Sequence, residues 1–500
     1  LPRREDGLLT DEDRLHLKGS LGLSREEPNH DHRRFLSTLS SCSNSVLFFP
    51  RGDLRQHSER YPTRWLEQIA VREGVASLDD ALRSPEHDWA QLQASFVSGL
   101  RRSSFPSTKT EFDLAGLLDR RDQSRDLGDA PLIDASAFDL GRQLIEHRSS
   151  DQFTRFDGNL SGSVNSVATQ IDALSATRLK HWADCPHSYF MRYVLGVEEP
   201  EFSGDGFRIS PLERGSLLHE AADRFFRDQL ADGSPPGPER PYSASDISSI
   251  RQFGLEVAME LESQGLVGRP LFWSRDREKL LNDLSGILRF DHQREVRGTV
   301  VATEFRFGLP GSDVPPVRRI LPSGKVVHFG GSVDRVERTD DGNLVVVDYK
   351  TGKLDSYKKL GPKDPVLGGS QLQLPVYALA AHASLGSGSE PVHASYWFTS
   401  SDQRWKTMGY AVTSEVLASF DKAVDIIVTG IEEGLFPANP DLSSPSWGGS
   451  PRCLFCDPDE LGTRHLEAKW ESLASVESLA PYRELRGEVV EAERGHDSSD

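Results

Sequence analysis

The chain has 500 residues, a formal net charge of −19 and 37% hydrophobic residues, enough for two or three domains with cores of their own. Its four cysteines, Cys42, Cys185, Cys453 and Cys456, are too few and too scattered for a secreted disulfide framework. No apolar run approaches the length that spans a bilayer, and the acidic total excludes a chain that binds nucleic acid over its whole surface.

In chain order, residues 31–40 read as a helix and 45–51, with Val46-Leu47-Phe48-Phe49, as the strand after it. Pro62-Thr63-Arg64-Trp65-Leu66 reads as the next helix start. From about 101 to 175 the text is polar, with charged Arg120-Arg121-Asp122 and small Ser161-Gly162-Ser163, and reads as a linker with some helix. The expected division is 1–70 for the first domain, 71–173 for a helical linker, 174–470 for the main domain and 471–500 for a tail. The start at Leu1, with no signal peptide, leads us to expect a fragment of a longer cytoplasmic protein.

The main domain is expected to run helix (212–229), strands near 300–309, 326–338 and 344–349, helix (371–383), strand (392–399) and helix (414–434), an α/β pattern. The last helix would be capped by Thr413 or Ser414 and stopped at Gly434. Asp341-Gly342-Asn343 separates two apolar strands, a hairpin signal. Asp334 lies late in the first strand and Asp348 late in the second. Lys350 follows two residues on, so the strand period puts Asp348 and Lys350 on one face. Two acids able to share a divalent ion, beside a cation able to orient water, suit metal-assisted phosphodiester hydrolysis. Read alone, Asp-x-Lys is more often a strand ion pair.

The order of motifs changes that weighting. Gly215 to His219, Gly331-x-x-Asp334-Arg335, Asp348-Tyr349-Lys350-Thr351-Gly352, and Gln373 with Tyr377 follow one another. This series resembles the RecB/AddB-type nucleases of the PD-(D/E)xK superfamily, over roughly 174–470. The resemblance implies a restriction-endonuclease-like core, a mixed sheet flanked by helices. It also implies a magnesium or manganese ion held by His219, Asp334, Asp348 and the backbone carbonyl of Tyr349, with Glu304 as a further candidate. Lys350 would then position the attacking water and stabilise charge on the scissile phosphate, with Gln373 and Tyr377 buttressing it or touching the DNA backbone. Such a donor set agrees with hard-cation chemistry. Taken singly, His219 reads as a structural histidine, Glu304 equally well as an exposed strand acid, and Tyr377 as a core tyrosine.

Charge is local. Between Arg318 and Lys363 there are ten Lys or Arg against six Asp or Glu, a positive stretch in an acidic chain. Arg335, Lys353, Lys358 and Lys359 are therefore the expected DNA contacts, although a solvated surface run explains each lysine at least as well.

Many AddB-type nucleases carry a [4Fe-4S] cluster on one early cysteine and three late ones. Cys185-Pro186 and Cys453-x-x-Cys456 match that arrangement, but the third late cysteine is replaced near Gly462. Three readings stay open: a cluster with a substituted site, zinc with His465 as fourth ligand, or plain buried thiols. The first 70 residues resemble the end of the second motor domain of UvrD-like helicases, an α/β fold. No Gly-x-x-x-x-Gly-Lys-Ser/Thr phosphate loop occurs, so ATPase activity is not expected of this chain.

Together these readings imply a metal-dependent DNA nuclease of a bacterial helicase-nuclease, acting on unwound single strands in double-strand-break repair and recombination. A helicase subunit, or a motor preceding this chain, would be its partner, at the nucleoid and with no membrane involved. The alternatives are a non-catalytic DNA-binding scaffold and a small-molecule metal hydrolase.

Overall fold

The computed structural model describes residues 10–16, 23, 27–53, 58–84, 86–125, 135–162, 173–198, 207–233, 235–386, 391–439, 455 and 464–488. The chain divides into two compact units, Leu1–Leu140 and Gly141–Asp500.

The first unit is helical, with helices Glu27–Ser40, Arg64–Arg72, Leu78–Arg83, Phe96–Arg102 and Lys109–Asp122 among its elements. His32 and Phe35 stack on Trp65 at ring distances of 5.1 and 5.2 Å. The strand expected over 45–51 is not formed: residues 45–50 are irregular, and the one strand pair of this unit among the described residues is Gly52–Asp53 with Ser58–Glu59. The physical reason is the lack of a neighbouring strand among the described residues, without which an apolar run cannot satisfy its backbone groups as a ladder. Phe48 is accordingly 91% exposed.

The second unit is built on a five-stranded sheet. Its strands are β1 (Thr299–Phe307), β4 (Gly331–Arg338), β5 (Leu344–Lys350), β6 (His393–Phe398) and β7 (Thr407–Ala411), adjacent in that order. A separate hairpin pairs β2 (Val317–Ile320) with β3 (Val326–Phe329). The single strand expected over 326–338 is thus two strands in two sheets. The chain breaks at Gly330, where a Cβ would lie 2.8 Å from the Gly308 carbonyl oxygen, so the two backbones cross too closely for any side chain.

Five long helices flank the sheet: α1 (Pro211–Ala231), α2 (Ala244–Ser263), α3 (Pro270–Phe290), α4 (Gln373–Leu385) and α5 (Ser414–Glu432). All sheet pairings are antiparallel except β5 with β6. That parallel step requires a crossover, supplied by α4, which is buried along most of its length. The valine run of β5 is buried on both faces, the mark of a central strand. Val345 and Val347 pack with Tyr349 and Trp397 under a helical layer of α1, α2 and α3, and Val346 packs on the other side with α4 and α5. The α2 and α3 helices have no counterpart in the expected element order.

Helix α1 starts where Ser210 accepts from the Glu213 N–H and Pro211 occupies the first turn. Leu217, Leu218, Ala221, Ala222, Phe225 and Phe226 then recur at helical spacing and are buried. Thr413 caps α5, and Gly434, at φ +73°, ends it. Packing also reaches beyond 174–470: Leu473, Leu479 and Tyr482 lie in the core, and Lys469 donates to the carbonyls of His147, Ser150 and Gln152.

Candidate active site

The β4–β5 hairpin keeps register from Arg338–Leu344 to Arg335–Val347. One position further on, Asp334 and Asp348 would face each other, but the strand pairing stops. Instead the Asp334 carboxylate accepts the N–H of Tyr349. A side chain thus replaces the missing ladder bond and holds both strand ends in fixed relation.

The other oxygen of Asp334 lies 3.1 Å from Nδ1 of His219, which α1 presents two turns after its start. Glu304, on β1, completes a cluster in which one donor atom each from His219, Glu304 and Asp334 all lie within 4.8 Å of one another. Its backbone is at φ +42°, in the left-handed region, although it sits in mid-strand. A non-glycine residue held there costs on the order of 1–3 kcal/mol and persists only where surrounding contacts impose it. One such contact is the Ser332 hydroxyl, which donates to the Glu304 carboxylate at 2.7 Å.

Asp348 is buried and lies 2.5 Å from Nζ of Lys350. Lys350 donates to Oε1 of Gln373 at 2.9 Å, and Gln373 donates to the Tyr377 hydroxyl at 3.2 Å. The lysine also sits 4.9 Å above the Tyr396 ring. Both Asp348 and Lys350 point to the α4 side, as the strand period requires.

Charge in this cluster is unbalanced. Burial pushes Asp348 up, and although Lys350 opposes this, Asp334 adds to it, leaving the carboxyl near 6. Burial likewise raises Glu304. Burial works against a proton on His219, but the bond to Asp334 and the charges of Asp334, Asp348 and Glu304 outweigh it and bring the imidazole to about 8. Two carboxyls and an imidazole that cling to protons, gathered around a third acid, form a site electrostatically suited to a divalent cation. The oxygen-rich donor set with one imidazole fits magnesium or manganese.

The sequence-derived residues divide clearly. His219, Asp334, Asp348, Tyr349, Lys350, Gln373, Tyr377 and Glu304 come together. Lys353, Lys358 and Lys359 are exposed on the segment after β5. Arg335 is a correction: it is fully buried, bonded to Asp291 and Glu337 and packed against the rings of Phe226 and Trp397, so it is no DNA contact in this fold. The strand period already carried that signal, since neighbours of Asp334 leave the opposite face. Cys185 is buried at the start of the short helix Pro186–Tyr189. Cys453, Cys456 and Gly462 lie outside the described residues, as does the side chain of His465.

The sequence profile of the PD-(D/E)XK nuclease superfamily matches residues 173–461, more than half of the chain. The chain belongs to that superfamily. The matched region spans the sheet, α1 and α4 and therefore every residue of the cluster. Among curated relatives, an ATP-dependent helicase/deoxyribonuclease subunit of Desulforudis audaxviator is 31% identical over 234 residues, covering 45% of this chain and 19% of that protein. The subunits of the same description from Clostridium tetani and Moorella thermoacetica are each 28% identical, over 41% and 45% of this chain. The chain spans about a fifth of the length of these curated relatives. Among the described residues, no helix is long and apolar enough to cross a membrane.

Proposed function

We propose that this PD-(D/E)XK chain is a Mg2+- or Mn2+-dependent deoxyribonuclease, cutting single strands delivered by a helicase partner or by a motor in the same polypeptide. The observation that carries the reading is the convergence of His219, Glu304 and Asp334 beside the Asp348–Lys350 pair. His219, Glu304, Asp334, Asp348 and the Tyr349 carbonyl would hold the ion, which supplies Lewis acidity and a lowered water pKa.

The protein groups do the rest. Asp334, fixed by the Tyr349 N–H, keeps the two strand ends at one separation. Lys350 is held in its charged form by Asp348 despite burial, and donates toward the attacking water and the phosphate oxygens. Gln373, tied to Tyr377, accepts from the lysine and anchors its ammonium group. Lys353, Lys358 and Lys359 would hold the strand by its phosphates. Cleavage would leave 5′-phosphate and 3′-hydroxyl ends, in the setting of double-strand-break repair at the nucleoid.

A non-catalytic scaffold has less support, because the cluster keeps each residue that the chemistry needs. The test is cutting of labelled single-stranded DNA with magnesium or manganese, beside Asp348→Ala and Lys350→Ala. Metal-dependent cutting lost in both variants is the expected result. A folded wild-type chain that binds DNA without cutting it would favour the scaffold.

A further inference from the structure

The loop between β6 and β7 holds two successive non-glycine residues in the left-handed region, Arg404 at φ +57° and Trp405 at φ +50°. Two adjacent residues in that state need contacts that leave the backbone no alternative. Each side of the loop provides one. The Ser401 N–H donates to Asp283 at 2.9 Å, and Asp283 also pairs with Arg214, one residue before the Gly215 that opens the His219 motif. Lys279 reaches Asp402 at 2.5 Å. Trp405 stacks on Phe290 at 4.1 Å and fills a notch at Gly286, where a Cβ would meet its ring at 2.3 Å. The Trp397 indole donates to the Trp405 carbonyl at 2.9 Å.

This clamped loop borders the active site. The Thr399 N–H donates to the Lys350 carbonyl at 3.0 Å, and Oε1 of Gln403 accepts the N–H of Leu354 at 3.1 Å, next to Lys353. The loop therefore lies at the carboxyl end of the parallel pair β5–β6, the end that carries Lys350. What it holds outward is Arg404, which is exposed and has no carboxylate partner among the described residues. These contacts fix the backbone of the loop, so Arg404 is carried at a set place beside the β5–β6 strand ends with its side chain exposed.

We propose that Arg404 is a backbone-phosphate contact for the single strand bound at the active site, held ready by the strain of its loop. The inference rests on the nuclease reading above and assigns a residue that the basic stretch 318–363 does not contain. Guanidinium geometry suits phosphate, and the exposed Lys353 and Lys406 on either side extend the same positive rim.

The test uses the full chain carrying Asp348→Ala, so that binding is read without cutting, with an oligothymidylate as probe across a salt series. Arg404→Gly and Arg404→Ala are compared in that background. Glycine relieves the strain and alanine keeps it, so Tm should rise by about 1–3 °C with glycine and not with alanine. Both should weaken binding about three- to tenfold and lower the salt slope by about 0.7, the loss of one phosphate contact. Arg404→Lys should keep the slope. Unchanged affinity and slope in both glycine and alanine variants would overturn the assignment and leave the nuclease reading intact. No binding by the folded Asp348→Ala chain, together with no metal-dependent cutting by the wild-type chain, would remove the nuclease reading and this inference with it.

Discussion

Asp334 and Arg335 are neighbours on one strand, yet they belong to two charged clusters of opposite character. On the far face, Arg335 and Arg294 are matched against Asp291 and Glu337, with Arg294 reaching Glu337 at 2.5 Å and the Gly298 N–H closing on Glu337 at 2.8 Å. Two guanidinium groups face two carboxylates, and burial is nearly complete. Burial would raise Asp291, but Arg335 and Arg294 hold it low. On the near face, His219, Glu304, Asp334 and Asp348 gather three acids around one lysine and one imidazole, and two of those acids and the imidazole are shifted upward. A balanced, closed cluster is what a fold uses to lock strands together; an acid-heavy cluster with a half-exposed mouth is what a cation site requires.

Removing one member from each cluster gives the widest contrast. Asp334→Ala should lower cutting by about 1,000-fold or more, over about 4 kcal/mol of transition-state stabilisation, while Tm moves by only a few degrees. Rates on labelled single-stranded DNA and a thermal melt on the same sample check both halves. A variant retaining a tenth of wild-type activity would remove Asp334 from the metal site.

The far-face counterpart acts on stability. Arg335→Met leaves Asp291 and Glu337 with Arg294 as their one remaining guanidinium partner among the described residues, and should cost about 3–5 kcal/mol in a denaturant titration. Adding Glu337→Leu should recover much of that loss, because a buried pair replaced by apolar groups is often neutral. If Arg335→Met were silent, the quartet would not lock the strands.

A third contrast is pH. His219 must be neutral to ligate, and in the metal-free protein its proton leaves only near pH 8. Manganese affinity should therefore fall up to about tenfold per pH unit below 8, and more steeply toward pH 6, where Asp348 also takes a proton. The stability effect of Asp348 alone runs as for any acid with a raised folded value. Its folded pKa of about 6 lies above the ordinary 3.8, so the metal-free fold loses on the order of 2–3 kcal/mol as pH rises from about 4 to 6 and does not regain it above. Asp348→Asn should remove that loss. Titrating manganese by calorimetry at pH 6, 7 and 8 checks the first statement, and melts with a chelator present check the second. The far-face quartet should show no such dependence, since its guanidinium groups keep Asp291 charged across that range.

Much of the near-face cluster was legible in the sequence, because ordered motifs fix which side chains meet once β4, β5, α1 and α4 are in place. The far-face quartet was not. Asp291 and Arg294 follow α3, a helix outside the expected order, so the visible part is Arg335, and a basic residue beside candidate metal-binding acids reads as a DNA contact. The break at Gly330 has a signal in Gly330-Gly331, which an uninterrupted strand over 326–338 ignores. Residues 45–51 fail for another reason: strand-like composition is not a strand unless a neighbour accepts its hydrogen bonds.

Glu304 was legible as a candidate acid of the site, but the backbone angle at which it is held was not. The register of β1 on β4 sets Thr303 opposite Arg335 and Phe305 opposite Val333, so Glu304 falls opposite Asp334, and there its backbone is held at φ +42° at a strain of roughly 1–3 kcal/mol. If that strain serves the metal, Glu304→Gly and Glu304→Ala should weaken manganese binding alike, by about tenfold, because both remove a carboxylate. They should differ in stability. Alanine keeps the disfavoured angle, whereas glycine adopts it freely, so the glycine variant should be the more stable by about 1 kcal/mol despite its greater unfolded-state entropy. Paired calorimetry and denaturant titration separate the two effects. Equal stability would mean that the left-handed turn carries no strain, and unchanged metal affinity would leave Glu304 as a structural acid beside the site.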